Sequence, residues 1–301
     1  MIQPDDAVLI TGCGGMLGHA VRARFLGRAR VVATDLVPSE PWLSPLDVTS
    51  AAAVEEAFVR VRPRYVVHLA AVTDLECCER RPALAYDVNT WGTHNVAVCA
   101  ARAGVPMLSL STAGVFDGAK SAYAEEDVAQ PLSVYGKSKY GGDLAVGALP
   151  RGVILRAGWM MGGGPARDKK FVWKVIRQVR EGARRIAAVD DKFGSPSYVR
   201  DVAEAAYYLL DHGHTGLFHG GSDGGGPSRY DVAAAILGTL GVDGRVELVR
   251  ARSEAFADEY FAPRPASEQL DNRRLKGLHA PLVRDWRDCL KDYLDSTDWG
   301  L

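Results

Sequence analysis

The sequence predicts an α/β protein: a doubly wound parallel sheet with a smaller carboxy-terminal lobe. Three observations carry that expectation. Short runs that are apolar on both faces alternate with amphipathic stretches through the first half of the chain. A glycine-rich turn joins the first apolar run to the first of those stretches. After Ala157 the alternation loosens and glycine loops become frequent. The length of 301 residues suits about two domains.

The elements follow in order. Val8–Thr11 is a short β-type run, and Met16–Leu26 carries Leu17, Val21, Phe25 and Leu26 at helical spacing. Val31–Asp35 reads as a second strand. Ala51–Val61 reads as a helix with Val54, Ala57, Phe58 and Val61 on one face, and Tyr65–Leu69 as a buried strand. A helix over Thr90–Ala103 stops at Gly104. Met107–Ser111 is a strand, Tyr135–Ala148 a helix and Val153–Ala157 a strand. Right-handed crossovers between such strands leave the doubly wound topology as the simplest one. Beyond Ala157, Gly162–Gly164 is a loop, Phe171–Arg180 and Asp201–Leu210 are helices, and Leu217–Gly220 is a strand. Ser228 is placed to cap a helix over Tyr230–Leu240, and Asp285–Leu294 is the last helix. Residues 1–157 then form a dinucleotide domain to which 195–222 return. Residues 158–194 and 223–301 form the second lobe.

Composition removes several classes of function. The 36 basic and 37 acidic residues give a net charge of −1, without the basic excess of a polyanion binder, so nucleic acid is not the expected partner. No apolar run approaches the roughly 18 residues of a membrane span. Two acids and no basic residue precede the first apolar run, unlike a secretory signal, so the cytoplasm is the expected location. The five cysteines lack C-x-x-C spacing and read as idle thiols in a reducing compartment. His212, His214 and His219 have no companions at metal-ligand spacing and read as a surface loop, so no metal is expected.

Gly12, Gly15 and Gly18 form G-x-x-G-x-x-G between a strand and a helix. Gly12 permits the tight turn, Gly15 admits a pyrophosphate to the backbone, and Gly18 lets the helix lie on the strand. Together with Met16 and Leu17 they place helix N–H groups toward phosphates, as in a Rossmann domain. Asp35 ends the second strand, where a carboxylate accepts from adenosine ribose hydroxyls and repels a 2′-phosphate. A solvated strand-end carboxylate remains the alternative. NAD(H) is therefore the preferred cofactor, with NADP(H) admitted, since Arg22, Arg24, Arg28 and Arg30 lie nearby in sequence. Asp47 and Val48 follow where a chain could pass the adenine edge.

Tyr135 and Lys139 stand four residues apart and share one helix face. A phenol titrates near 10, and a nearby ammonium lowers that value, so the pair suits proton donation. Ser111-Thr112 lies just past a strand, at the sheet end where ligands of parallel sheets bind. Gly136, Gly141, Gly142 and Gly147 weaken the Tyr135 helix by roughly 1 kcal/mol each. Either close approach of a neighbour or a chance composition would account for them.

These residues resemble the extended short-chain dehydrogenase/reductases, and in detail the dTDP-4-dehydrorhamnose reductases. The resembling stretches are Leu46-Asp47-Val48-Thr49, Ala70-Ala71-Val72-Thr73, Val88-Asn89-Thr90-Trp91-Gly92-Thr93, Leu110-Ser111-Thr112, Val115-Phe116-Asp117-Gly118, Val134-Tyr135-Gly136-Lys137-Ser138-Lys139, Leu155-Arg156-Ala157-Gly158-Trp159, Gly194-Ser195-Pro196-Ser197 and Ala262-Pro263-Arg264-Pro265. The resemblance implies a reductase of a nucleotide-linked 4-keto-6-deoxy sugar. Thr112, Tyr135 and Lys139 would be catalytic. Asp47, Val48, Ala70, Ala71 and Thr73 would line the cofactor channel, Thr73 also bordering the substrate. Asn89 would support the site. Trp159 would stand beside the sugar and Arg264 would reach the diphosphate, although core packing and a surface charge are the plain alternatives for those two.

The resemblance breaks at one place. Between Thr112 and Val115 the family usually carries Asp-Tyr, and this chain carries Ala113-Gly114. The substrate position at Ala113 thus lacks a carboxyl and an aromatic wall. The same gap argues against a 4,6-dehydratase. A nucleotide-sugar 4-epimerase holding NAD⁺ and a regulatory subunit like the methionine adenosyltransferase beta subunit remain alternatives. A homodimer is left open.

Overall fold

The computed structural model describes residues 1–301. Seven parallel strands form the central sheet: β1 (Ala7–Thr11), β2 (Arg30–Asp35), β3 (Leu43–Pro45), β4 (Tyr65–His68), β5 (Met107–Thr112), β6 (Gly152–Ala157) and β7 (Gly216–His219). Their order is β7-β6-β5-β4-β1-β2-β3. β1 pairs with β2 on one side, Leu9 opposite Val32, and with β4 on the other, Leu9 opposite Val66. The strand order reverses there, so a crevice opens at the carboxyl ends of β1 and β4.

Alternate residues of each strand serve opposite faces of the sheet. Leu9, Val66 and Met107 meet α2 (Ala51–Val61) and α3 (Thr93–Ala103) on one side. Val8, Ile10, Val67 and Leu108 belong to a larger core on the other side. That core takes in α1 (Met16–Phe25) and α6 (Val199–Asp211) and continues into the second lobe through α5 (Phe171–Arg180), α7 (Arg229–Thr239) and α8 (Trp286–Asp295). Between β5 and β6 runs α4 (Val134–Gly147). Serine hydroxyls start three of these helices: Ser50 for α2, Ser133 for α4 and Ser228, in a reciprocal box with Asp231, for α7.

The second lobe contains three short parallel strand pairs. Trp159–Met161 pairs with Pro196–Tyr198, Arg185–Val189 with Glu247–Ala251, and Phe193–Gly194 with Ser267–Glu268. None of these pairs has an apolar run long enough to announce it in sequence. No helix of the chain is long and apolar enough to cross a membrane.

The structure departs from expectation at two points, the start of α3 and the place of His219, and agrees with it on the cysteines. The helix expected over Thr90–Ala103 begins earlier, as a π-helical turn over Asp87–Gly92 that passes into α3. The wider turn leaves Asn89 fully buried and Trp91 exposed. His219 is not in a surface loop. It closes β7 and is fully buried, whereas His212 caps α6 and stacks on Tyr208 with ring centroids 3.9 Å apart. All five cysteines are free, and Cys13, Cys78, Cys99 and Cys289 are buried.

Candidate active site

The glycine turn sits at the crevice between β1 and β4. Gly12 has φ +69°, and a Cβ there would overlap the backbone of Ala70. A Cβ on Gly18 would overlap the backbone of Cys13, so α1 can lie this close to β1 only with glycine there. Gly15 differs: its nearest neighbour would be Gly12 O at 3.7 Å, so the backbone faces open space. Gly15 is the N-cap of α1, no side chain caps that end, and no acid stands in its first turn. The free N–H groups and the helix dipole suit an anionic group. Leu17 packs into the core and Met16 is half-buried beside it.

Asp35 closes β2 with both carboxylate oxygens engaged: Gly14 N donates to one and Leu36 N to the other, each at 2.8 Å. Asp47 is exposed and accepts from the N–H and hydroxyl of Thr49 at 2.9 and 2.7 Å, while Val48 is buried beneath Gly92. Ala70 and Ala71 are half-buried in the loop after β4, and Thr73 is exposed beyond them. Asn89 turns away from that channel. Its amide nitrogen donates to Val72 O at 3.0 Å and Ser138 Oγ at 2.9 Å, and its oxygen accepts from Val72 N at 2.8 Å. It therefore ties the β4 loop to α4. His68 braces the same region from below, hydrogen-bonded to Thr11 Oγ1 at 2.7 Å and Thr93 Oγ1 at 3.0 Å, with burial pushing it down to about 3.

Thr112 ends β5, and Tyr135 and Lys139 project from the first turns of α4. Glycines account for this closeness: a Cβ on Gly136 would overlap Gly114 O, and one on Gly142 would press on Asn89 O at 2.7 Å. Burial pushes the Tyr135 phenol up to about 12, while the neighbouring Thr112 side chain acts in the opposite direction. Lys139 is buried as well. Its Nζ donates to Leu110 O at 2.8 Å, and burial lowers its own proton affinity, opposed by Asp143. The Lys139 charge is thus anchored against the β5 backbone, one helical turn from Tyr135.

On the other side of the cleft, Trp159 Nε1 donates to Glu268 Oε2 at 2.7 Å, and the Arg229 guanidinium lies over the indole, 3.5 Å from its centroid. Burial pulls Arg229 down to about 10, with Glu268 acting against that shift and Arg264 adding to it. Lys170 Nζ lies 3.5 Å from Thr73 Oγ1, and Lys174 Nζ donates to Tyr260 Oη at 2.9 Å. Arg264 is less available than the sequence suggests. Its guanidinium pairs with Glu76 at 2.7 Å and donates to the carbonyls of Ala262 and Tyr260 at 2.9 and 3.3 Å. Sequence reasoning missed Lys170, Arg229 and Glu268. Ser228 announces a helix start, but nothing local says that Arg229 reaches Trp159. No group of three or more His, Cys, Asp or Glu is placed to hold a metal ion.

Residues 6–298 match the profile of the RmlD substrate binding domain. The chain belongs to that family. A dTDP-4-dehydrorhamnose reductase of Mycobacterium tuberculosis is 35% identical over 298 residues, covering 96% of this chain and 93% of that protein. A solved dTDP-4-dehydrorhamnose reductase of Clostridium acetobutylicum superposes with a TM-score of 0.87 at 32% identity, over 96% of this chain and 99% of that one. Another, from Bacillus anthracis and in complex with NADP, gives a TM-score of 0.85 at 27% identity, over 97% of this chain and 100% of that one. The fold is thus shared with these two solved structures, and the candidate site of this RmlD-family chain falls at the carboxyl edge of its seven-stranded sheet.

Proposed function

We infer that this chain is an NAD(P)H-dependent reductase of a nucleotide-linked 4-keto-6-deoxy sugar, of the dTDP-4-dehydrorhamnose type. The observation that carries the reading is the meeting of Thr112 and Tyr135 at the carboxyl end of β5, beside an uncapped α1 N-terminus. The glycine turn fits a dinucleotide, because Gly15 leaves its backbone open where Gly12 and Gly18 do not. When bound, the dinucleotide supplies a hydride to the ketone carbon. Tyr135 then gives its phenolic proton to the ketone oxygen, and the Thr112 hydroxyl donates a hydrogen bond to the same oxygen. Lys139 stays anchored on Leu110 O and offers its remaining protons to a ribose hydroxyl. Residues 158–194 and 223–301 form the sugar-binding lobe. Within it Trp159 walls the sugar, and Arg229, Lys170 and Lys174 take the diphosphate in place of the committed Arg264.

Both nicotinamide coenzymes are used, with NADH preferred. The carboxylate of Asp35 opposes a 2′-phosphate. Of the four arginines near it in sequence, Arg24 pairs with Glu204, Arg28 turns to Arg24 O and Arg30 to Val61 O. Arg22, stacked on Trp42 at 4.1 Å, is left to favour NADPH. The free thiols fit a reducing compartment, and the cytoplasm is the proposed location.

The test is turnover of dTDP-4-dehydrorhamnose with each coenzyme, followed by denaturation of fresh protein to identify released nucleotide. Steady NAD(P)H oxidation with exchangeable coenzyme is expected. Stoichiometric tightly held NAD⁺ without net reduction would replace the reading with an epimerase.

A further inference from the structure

The gap at Ala113-Gly114 is filled from the other end of the chain. A Cβ on Gly114 would lie 3.4 Å from Glu268 Oε1, so the Glu268 carboxylate stands where a side chain at 114 would begin. Its two oxygens are not equivalent. Oε2 accepts the indole N–H of Trp159 at 2.7 Å, whereas Oε1 takes no protein donor and faces the cleft. The backbone beneath is fixed. Ser267–Glu268 pairs with Phe193–Gly194, Ser267 Oγ donates to Ser121 O at 2.6 Å, and Leu270 N donates to Ser195 Oγ at 2.9 Å. The charge of Glu268 is close enough to raise the Tyr135 phenol and to support the Arg229 guanidinium, which places it within the cleft these two groups share.

We propose that Glu268 is a specificity-determining residue, whose free carboxylate oxygen accepts a hydrogen bond from the sugar hydroxyl beside the ketone. The proposal rests on the reductase reading. One oxygen is committed and holds the side chain still; the other is open, next to the proton donor. A neutral hydroxyl on the neighbouring ring carbon satisfies that oxygen, and a sugar deoxygenated there leaves it unpaired. The preferred substrate class is thus a nucleotide-linked 4-ketosugar that keeps its 3-hydroxyl. A side chain at 114 would start in contact with the Glu268 carboxylate.

The experiment compares wild type, Glu268→Ala and Glu268→Ala with Gly114→Asp on a dTDP-4-keto-6-deoxyhexose and its 3-deoxy counterpart, at saturating coenzyme. A hydrogen bond to a charged acceptor corresponds to about 10–100-fold in affinity. Glu268→Ala is expected to lose that factor in kcat/KM, chiefly in KM, on the hydroxylated sugar and under ~3-fold on the 3-deoxy sugar. The carboxylate at 114 should recover part of the loss. Coenzyme Kd, read by fluorescence titration, should be the same in all three proteins. Equal loss on both sugars, or no loss, overturns the role of Glu268. A wild type that turns over neither sugar overturns the reductase reading instead, and the two failures are told apart by that control.

Discussion

The sheet half and the second lobe hold their candidate site groups in different ways. In the first, the backbone takes part in the contacts of three such groups. Gly12 is pressed on Ala70, Asn89 clamps Val72, and Lys139 reaches Leu110 O. Each position is set by where a strand of the sheet ends. In the second, side chains hold one another. Trp159 is bonded to Glu268 and covered by Arg229, Arg264 is paired with Glu76, and Lys174 with Tyr260. They come from segments far apart in the chain. On the proposed reading, the contrast places the chemistry on the sheet and recognition on side-chain contacts between distant segments.

The sharpest break of this contrast is at the proton donor. Tyr135→Phe should lower kcat by about 10²–10⁴-fold while leaving coenzyme Kd unchanged, as measured by stopped-flow and titration. Near-normal turnover would remove Tyr135 from the mechanism. Because burial holds the phenol at about 12, kcat/KM for ketone reduction should stay flat through neutral pH. A loss centred near pH 7 would contradict that.

The sheet half should also be acid-labile. His68 and His219 are held neutral by burial, down to about 3 and about 4 from an ordinary 6.5. The unfolded chain takes up their protons first. Their contribution is therefore complete above about 6.5 and is lost as pH falls toward the folded values, a few kcal/mol in all. Urea midpoints should drop between pH 7 and 4, with a slope about one proton smaller in His68→Gln. A midpoint that does not move with pH in that range would refute this.

In the lobe, effects should be smaller and confined to substrate. Arg229→Leu should raise KM for the nucleotide sugar by about 10–100-fold with coenzyme KM unchanged. An equal rise for coenzyme would show that Arg229 serves both. The least effect is expected at Asp35, where alanine should shift the NADPH/NADH preference by about tenfold or less. Strong NADPH preference in the wild type would sink the assignment of Asp35.

The same contrast explains what the sequence revealed. Glycine spacing, strand alternation and the i, i+4 pair at Tyr135 are local signals, and the sheet follows from them. The π-helical start at Asp87 was not legible, because its cause is the tertiary clamp of Asn89. The burial of His219 was missed because a three-histidine cluster looks polar until β7 is docked on β6. The anchor of Lys139 was not legible either, because its acceptor is a carbonyl of β5. Glu268, Lys170 and Arg229 carried no periodic or motif signal. Their meaning comes from contacts such as the one between Trp159 and Glu268, 109 positions apart.

That separation has a bearing on how the molecule comes into being. The ribosome releases Trp159 well before Ser267–Glu268, so the pairing of that strand with Phe193–Gly194 waits for nearly the whole chain to emerge. By then the strands from β1 to β6 have all emerged. A nascent chain would thus make the contact between Trp159 and Glu268 among its last. Premature termination before residue 267 would remove both Glu268 and α8, which belongs to the core covering one face of the sheet.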